Sequence, residues 1–380
     1  MDRRIYFDHA ATTPLDREVL DKMLPYYIEE YGNADSPHAV GRRAMQAVDS
    51  ARDKIAELIH AKPSEVYFTS GGTESDNWAI LGGMAVQREK GKDHLIVSAI
   101  EHHAVLAAAE KAEKEGCLVT YLPVNDGGRV ALSALKEAIT PRTGLIAVMA
   151  ANNETGVVQP IEEIAEIAKN SGILFFTDAV QYAPYQPLDV KKTGADLLYF
   201  SGHKFYGPKG CGVLSIKNGV KMGKHVVGGE QERGLRGGTI NVPSVVGLAA
   251  AYEKTLREMP LANEKLCGLR ALFLKGLSEL GGVYVNGDAE NGLPALVNVR
   301  FDGVENADIL YNLDLKGICV AAGSACASAS IKPSHVLTAM GLTEREAKSS
   351  VRFSFGKNNT EEEIAYTLDV LKEILKRLRK

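Results

Sequence analysis

No stretch of this sequence is apolar for the roughly 20 residues that a membrane-spanning helix needs. The first residues, MDRRIYFDHAATTP, contain no apolar run of the kind that opens a secretory signal. Cysteine is scarce: Cys117, Cys211, Cys267, Cys319 and Cys326 are the only five in 380 residues, widely spaced and without a CxxC pair. That usage argues against a disulfide framework or a structural zinc site and fits a reducing cytoplasm. The nine histidines include no HExxH, and the adjacent His102 and His103 would point in different directions on a helix or a strand, so no metal site is expected. Charge of one sign is missing as well. Lys and Arg number 44 against 48 Asp and Glu, a net −4, which provides neither a basic face for nucleic acid nor a polybasic membrane patch. No motif of a nucleic-acid-binding module occurs, so neither nucleic acid nor a membrane is an expected partner.

The composition, 45% hydrophobic and 24% charged, is that of a globular chain, and its length suggests two domains. From about residue 65 to 216, short β-rich runs alternate with helical ones. EVYFT, HLIVS, LVTYLPV, GLIAVMA, GILFFTD, ADLLYFS and GCGVLSI read as strands. Several are nearly continuous apolar runs, as strands buried on both faces should be, which argues for a mostly parallel, doubly wound α/β sheet with its ligand beyond the strands' carboxyl ends. After about residue 260 the pattern becomes α+β: helix ANEKLCGLRALFLKGLSELGG, strand ALVNVRF, helix ENADILYNLDLKG and a last helix from Thr360. Thr360 with Glu363 forms a capping box, and Ile364, Leu368, Leu371, Leu375 and Leu378 form one apolar stripe.

Three segments carry chemistry. In FTSGGTESDN a glycine-rich turn joins a strand to a helix and offers free backbone N–H groups of the kind that bind phosphate, with Ser70 and Thr73 as added donors. Taken alone it reads equally as a capped tight turn; it lacks the lysine of a P-loop and the GxGxxG of a dinucleotide site. LFFTDAVQ ends a strand on Asp178, and ADLLYFSGHKFYGPKG puts Ser201, His203 and Lys204 just beyond the next one. A pyridoxal cofactor requires such a pair, a lysine to form the Schiff base and a carboxylate to keep the pyridine nitrogen protonated. The plainer alternative makes Asp178 a helix cap and Lys204 a surface charge. In CVAAGSACASASIKPSHVL, Cys326 lies among Gly, Ser and Ala residues too small to build a core, which marks an exposed loop and a candidate nucleophile. The other four cysteines read as packing residues.

These segments, with YFDHAATTP, GNADSPH, SAIEHHAV, ANNETGVVQP, ERGLRGGT and VRFSFG in order along nearly the whole chain, resemble the cysteine desulfurases of the NifS/IscS type, within the class-V aminotransferase family of pyridoxal-phosphate enzymes. The resemblance implies an aspartate-aminotransferase-like α/β fold (fold type I). Its large cofactor-binding domain spans 15–259, and its small domain is made of 1–14 and 260–380, carrying the cysteine loop. It implies pyridoxal 5'-phosphate as cofactor and L-cysteine as substrate. Lys204 would form the Schiff base, Asp178 pair with the pyridine nitrogen, Gln181 and Asn153 reach the ring hydroxyl, and His102 stack on the ring and act in acid–base catalysis. Gly72, Thr73, Ser201 and His203 would hold the phosphate, with Thr239 supplied by the second subunit of a homodimer. Arg352, aided by Asn33, would take the substrate carboxylate. Cys326 would accept the sulfur and become a candidate transient ligand of an iron–sulfur cluster. The long stretch through SASIKPSHVL resembles the long-loop members, which implies delivery of sulfur to an iron–sulfur scaffold or a thiolation protein rather than selenocysteine breakdown. The chain departs from common family forms at Gly72, where alanine is frequent, at Gly238, where serine is, and at Ala321 and Ala322, where serines often occur. An aminotransferase or selenocysteine lyase on the same fold would keep Lys204 and Asp178 without needing Cys326.

Overall fold

The computed structural model describes residues 4–288, 292–323 and 333–379. Its strands are β1 (Ile5–Tyr6), β2 (Val66–Thr69), β3 (His94–Ser98), β4 (Leu118–Leu122), β5 (Thr143–Ala147), β6 (Leu174–Asp178), β7 (Leu197–Ser201), β8 (Gly212–Ile216), β9 (Val283–Asn286), β10 (Leu296–Phe301), β11 (Ile318–Cys319) and β12 (Ser350–Ser354). Seven of them form a central sheet in the order β2-β8-β7-β6-β5-β3-β4, with β8 antiparallel to both neighbours and every other pairing parallel. β2, β3, β5, β6 and β7 therefore all run the same way. The orientation of β8 was not readable from GCGVLSI, because an apolar run carries no sign of its direction.

The continuous apolar runs arise because both faces of this sheet are covered. Along each strand alternate residues go to opposite sides. Ile96, Ile146, Phe175 and Leu198 enter one core, while Leu95, Val97, Leu145, Phe176 and Leu197 enter the other. Both faces are lined mostly by apolar side chains, so the charged groups gather where the strands end. The edge strand β4 is the exception, with Leu118 and Tyr121 exposed.

A separate core lies between the three-stranded antiparallel sheet β12-β10-β9 and two helices, Val242–Ser278 and Glu361–Leu378. Phe7 and Ala10 from the chain start are buried in it. The C-terminal helix begins with the capping box read from sequence, Thr360 and Glu363 each accepting from the other's backbone N–H at 3.3 and 3.2 Å. Sequence pattern placed a helix only from about residue 262; the structure has one helix over Val242–Ser278 that passes through Pro260. Proline removes one helical hydrogen bond there, and the helix survives because both halves are anchored. Val245, Leu248 and Tyr252 belong to the central core, and Leu266, Leu269, Phe273 and Leu277 to the second one. Cys117 and Cys211 are buried as expected of packing residues, but Cys267 is exposed, on the outer side of that helix.

The turn after β7 fixes the backbone of Lys204. Gly202–Lys204 form a single 3-10 turn, and the amides of Phe205 and Gly207 both donate to the Gly202 carbonyl, at 3.1 and 2.9 Å. A Cβ at position 207 would stand 2.8 Å from that carbonyl oxygen, so only glycine fits. Next to the lysine, Phe205 is fully buried against Phe200 and Tyr252, with ring centroids 6.1 and 5.3 Å away. Phe205→Ala is expected to lose about 3–5 kcal/mol of stability. Chemical denaturation of the cofactor-free protein checks this, and a loss below about 1 kcal/mol would show that Phe205 does not anchor the turn.

Candidate active site

Five strand ends open onto one cavity of about 230 Å³. Gly72 and Thr73 follow β2, His102 follows β3, Asn153 follows β5, Asp178 and Gln181 end and follow β6, and Ser201, His203 and Lys204 end and follow β7. Arg352 of β12 reaches it from the second sheet. Residues far apart in sequence are thus brought to one edge of the parallel sheet, beyond the carboxyl ends of its strands.

At one part of the wall the chain turns at Gly71, whose φ of +146° suits glycine, into the helix that starts at Gly72 without a side-chain cap. Its first N–H groups therefore remain available to an anion. A Cβ on Gly72 would lie 3.2 Å from the Tyr199 hydroxyl, tighter than usual van der Waals contact. Glu74 accepts from the Ser70 N–H at 3.0 Å and pairs with Arg236 at 2.8 Å, tying this turn to the segment that precedes Thr239.

The carboxyl groups in the cavity wall and behind it are unusual. Burial raises the pKa of Asp178 to about 6, although the Val180 N–H at 2.8 Å and the Lys204 cation both favour its ionised form. Burial also lifts Glu101, adjacent to His102, to about 8, despite the Ser98 hydroxyl at 2.5 Å and the Met149 N–H at 2.8 Å that donate to it. Asp76, one helical turn beyond Thr73, is pushed well above the carboxylate range by burial and then by Asp178 and Glu101. A carboxylate with a raised pKa lacks a full cationic partner, and a protonated pyridine nitrogen would provide one for Asp178.

Lys204 donates from Nζ to the carbonyls of Ala10 and Ala11, at 2.7 and 2.8 Å, and Gln181 donates its amide to the same Ala10 carbonyl at 2.8 Å. The chain start thereby closes the cavity. The backbone N–H of Ala104 donates to His102 Nδ1 at 3.2 Å, so the ring proton sits on Nε2. Burial, then the Lys204 cation and the neighbouring His103 and His335, bring His102 down to about 4. It is a neutral imidazole with an N–H to offer. His203 is likewise brought to about 4, by burial and then by Lys204 and Lys209, and its Nδ1 lies 3.1 Å from the Thr12 hydroxyl. Arg352 is 1% exposed. One of its terminal nitrogens donates to the Asn153 carbonyl at 2.9 Å and the other to Asp8 at 2.7 Å, and its Nε has no partner among the described residues.

Two expected site residues lie elsewhere in this chain. Asn33 and Thr239 are both exposed and outside the cavity wall. Cys326 falls outside the described residues. The residues on either side are described. Ala321 pairs with Arg352 through both backbone hydrogen bonds, and Ser334 donates to Glu154 at 2.5 Å, beside the cavity-lining Asn153. His335 adds a contact from Nε2 to the Glu101 carbonyl, 2.9 Å away. Asp8, Asp76, Glu101 and Glu154 were missed by sequence reasoning. Their one signal was adjacency to motif residues, since Asp76 follows Thr73 by a helical turn and Glu101 precedes His102.

Residues 5–366 match the family described as Aminotransferase class-V. The chain belongs to this family. A relative named Cysteine desulfurase IscS, from Clostridium botulinum, is 46% identical over 382 residues, covering 100% of this chain and 96% of the relative. Among solved structures, a NifS-like protein superposes with a TM-score of 0.93 at 39% identity, covering 99% of this chain and 100% of that one. A structure described as SspA in complex with cysteine gives a TM-score of 0.81 at 37% identity, covering 94% of this chain and 100% of that one. The fold is thus the aspartate-aminotransferase-like α/β fold of class-V enzymes, and the family's cofactor is pyridoxal 5'-phosphate. The cavity suits it: a lysine for the aldehyde, an under-partnered buried carboxylate for the ring nitrogen, and an uncapped helix start with hydroxyl donors for the phosphate.

Glu101 has a consequence for stability. Its folded pKa, near 8, lies above its unfolded value, so between pH 4.5 and about 8 the folded chain holds a proton that the unfolded chain has released. The Glu101 contribution therefore makes stability fall as pH rises through that window. Glu101→Gln is expected to flatten the decline, gaining on the parent protein steadily towards pH 8 in denaturation of cofactor-free samples. Parallel pH profiles for the two proteins would contradict it.

Proposed function

We propose that this chain is a cysteine desulfurase that converts L-cysteine and the Cys326 thiol into L-alanine and a Cys326 persulfide, then passes the outer sulfur to an acceptor protein. The observation that carries the reading is the meeting of Lys204, Asp178 and Arg352 in one cavity, within a chain alike from end to end to a named cysteine desulfurase. Bound pyridoxal phosphate supplies an electron sink that labilises bonds at the substrate's α- and β-carbons. Lys204 attaches the cofactor and moves the proton at the substrate α-carbon. Asp178 holds the ring nitrogen protonated. Gln181 and Asn153 take the ring hydroxyl, and Gly72, Thr73, Ser201 and His203 take the phosphate.

Arg352 binds the substrate carboxylate. Its guanidinium is buried and pre-aimed by Asp8 and the Asn153 carbonyl, so little side-chain freedom is lost on binding. His102, neutral and protonated on Nε2, presents a donor to the cavity; it takes up a proton at Nε2 only after giving up that hydrogen, and at Nδ1 only by losing the Ala104 N–H contact and becoming charged. The attachment of Ala321 to Arg352 and of Ser334 beside Asn153 supports Cys326 as the acceptor, because the chain enters and leaves its segment at the cavity rim.

A homodimer is part of the proposal. Asn33 and Thr239 are exposed, as are Tyr27, Ile28 and Tyr31 shortly before Asn33 and Val227 shortly before Thr239, and Gln231 bridges the two segments by bonding Asp35 and the Gly238 N–H. Through these segments a second copy would supply Thr239 to the phosphate. The receiving protein would be an iron–sulfur scaffold or a thiolation factor, with Cys326 a candidate transient cluster ligand. No described helix is long and apolar enough to cross a membrane, and the sparse cysteines suit a cytoplasmic setting. Incubation of the holoenzyme with L-cysteine, followed by peptide mass spectrometry, is expected to add one sulfur to the Cys326 peptide. Cys326→Ala should cut alanine formation by about a thousandfold or more. Undiminished alanine formation in that variant would rule out the desulfurase reading in favour of a related pyridoxal reaction that needs no thiol.

A further inference from the structure

Asp76 is one acid too many for the chemistry above. It lines the cavity beside Tyr199 and Asp178 and is 1% exposed. Neither of its carboxyl oxygens has a hydrogen-bond partner, and it enters no ion pair, among the described residues. A charged carboxylate buried without donors or a cation is far costlier than a neutral acid. The ionisable groups Asp76 faces, Asp178 from the end of β6 and Glu101 from beyond β3, are acids as well, so neither offers it a cation and both act in the same direction as burial. The group is therefore neutral, and a neutral carboxyl brings an O–H donor to a wall where, among the described lining residues, the one other carboxyl is that of Asp178.

We infer that Asp76 is a positioning residue that stays a carboxylic acid and directs its O–H to the Asp178 end of the cavity, so that one negative charge shared by two carboxyls meets the cofactor's ring nitrogen. The inference rests on the reading that Asp178 faces that nitrogen. A hydrogen bond donated to Asp178 makes its carboxylate a weaker base and leaves the proton on the ring. Asparagine can replace the donor at this position; alanine cannot.

The test uses holoenzyme reconstituted with cofactor carrying 15N in the ring, in the parent protein, Asp76→Asn, Asp76→Ala and Asp178→Asn. Infrared difference spectra of parent minus Asp76→Asn at neutral pH should show a protonated-carboxyl stretch. Asp76→Asn should keep the parent's ring-nitrogen chemical shift and its rate of cofactor release. Asp76→Ala should move the shift towards the unprotonated value and release cofactor about tenfold faster, the scale of a hydrogen bond to a charged group. Absence of the carboxyl band would overturn the inference, since it would show Asp76 ionised, and the infrared result does not depend on Asp76→Ala folding. An Asp76→Ala shift and release rate equal to the parent's would overturn it as well. If Asp178→Asn also left the ring shift unchanged, the fault would lie with the Asp178 reading; a shift in Asp178→Asn alone would sink only the role of Asp76.

Discussion

Burial of both faces of a parallel sheet is the constraint on which the rest of the molecule depends. With Ile96, Phe175 and Leu198 packed on one side and Leu95, Leu145 and Phe176 on the other, the middle of the central strands offers no place for charged side chains. The carboxyl ends are the remaining outlet, and five strands pointing the same way deliver theirs to one cavity. The same packing desolvates whatever gathers there. Hence acids are raised and histidines lowered around a single lysine, a set of groups held away from their solution behaviour by burial first and by one another second.

The second core contributes by bringing an arginine rather than by adding to the sheet. β12 ends the order of its three-stranded sheet and is buried throughout, yet it carries Arg352, whose charge is balanced by Asp8 from the chain start, 344 residues away in sequence. Ala10 and Ala11, a few residues later, accept the hydrogen bonds of Lys204 and Gln181. The first dozen residues thus stitch substrate-side and cofactor-side groups together.

Much of this was legible before any coordinates. Strands showed as unbroken apolar runs because both their faces are buried, and Asp178 and Lys204 stood out because polar residues directly after such runs must lie at the sheet's rim. The rest was hidden for identifiable reasons. Asp76 reads as an ordinary helix residue, since nothing local says that its face of the helix looks into a cavity. The pairing of Arg352 with Asp8 is too remote in sequence to be inferred from spacing. The first half of the helix Val242–Ser278 was not read as helix, because local pattern shows neither of the two cores that hold its halves on either side of Pro260. Asn33 and Thr239 carry motif identity, but a single chain leaves them on its exposed face.

The decisive measurement concerns the lysine at the centre of the cavity. Borohydride reduction of the cofactor-loaded protein, followed by proteolysis and mass mapping, fixes the cofactor to whichever amine holds it. The expected result is a pyridoxyl group on the peptide containing Lys204 and on no other. A label on a different lysine, or none in protein that retains its cofactor, would contradict the assignment of this cavity as the active site.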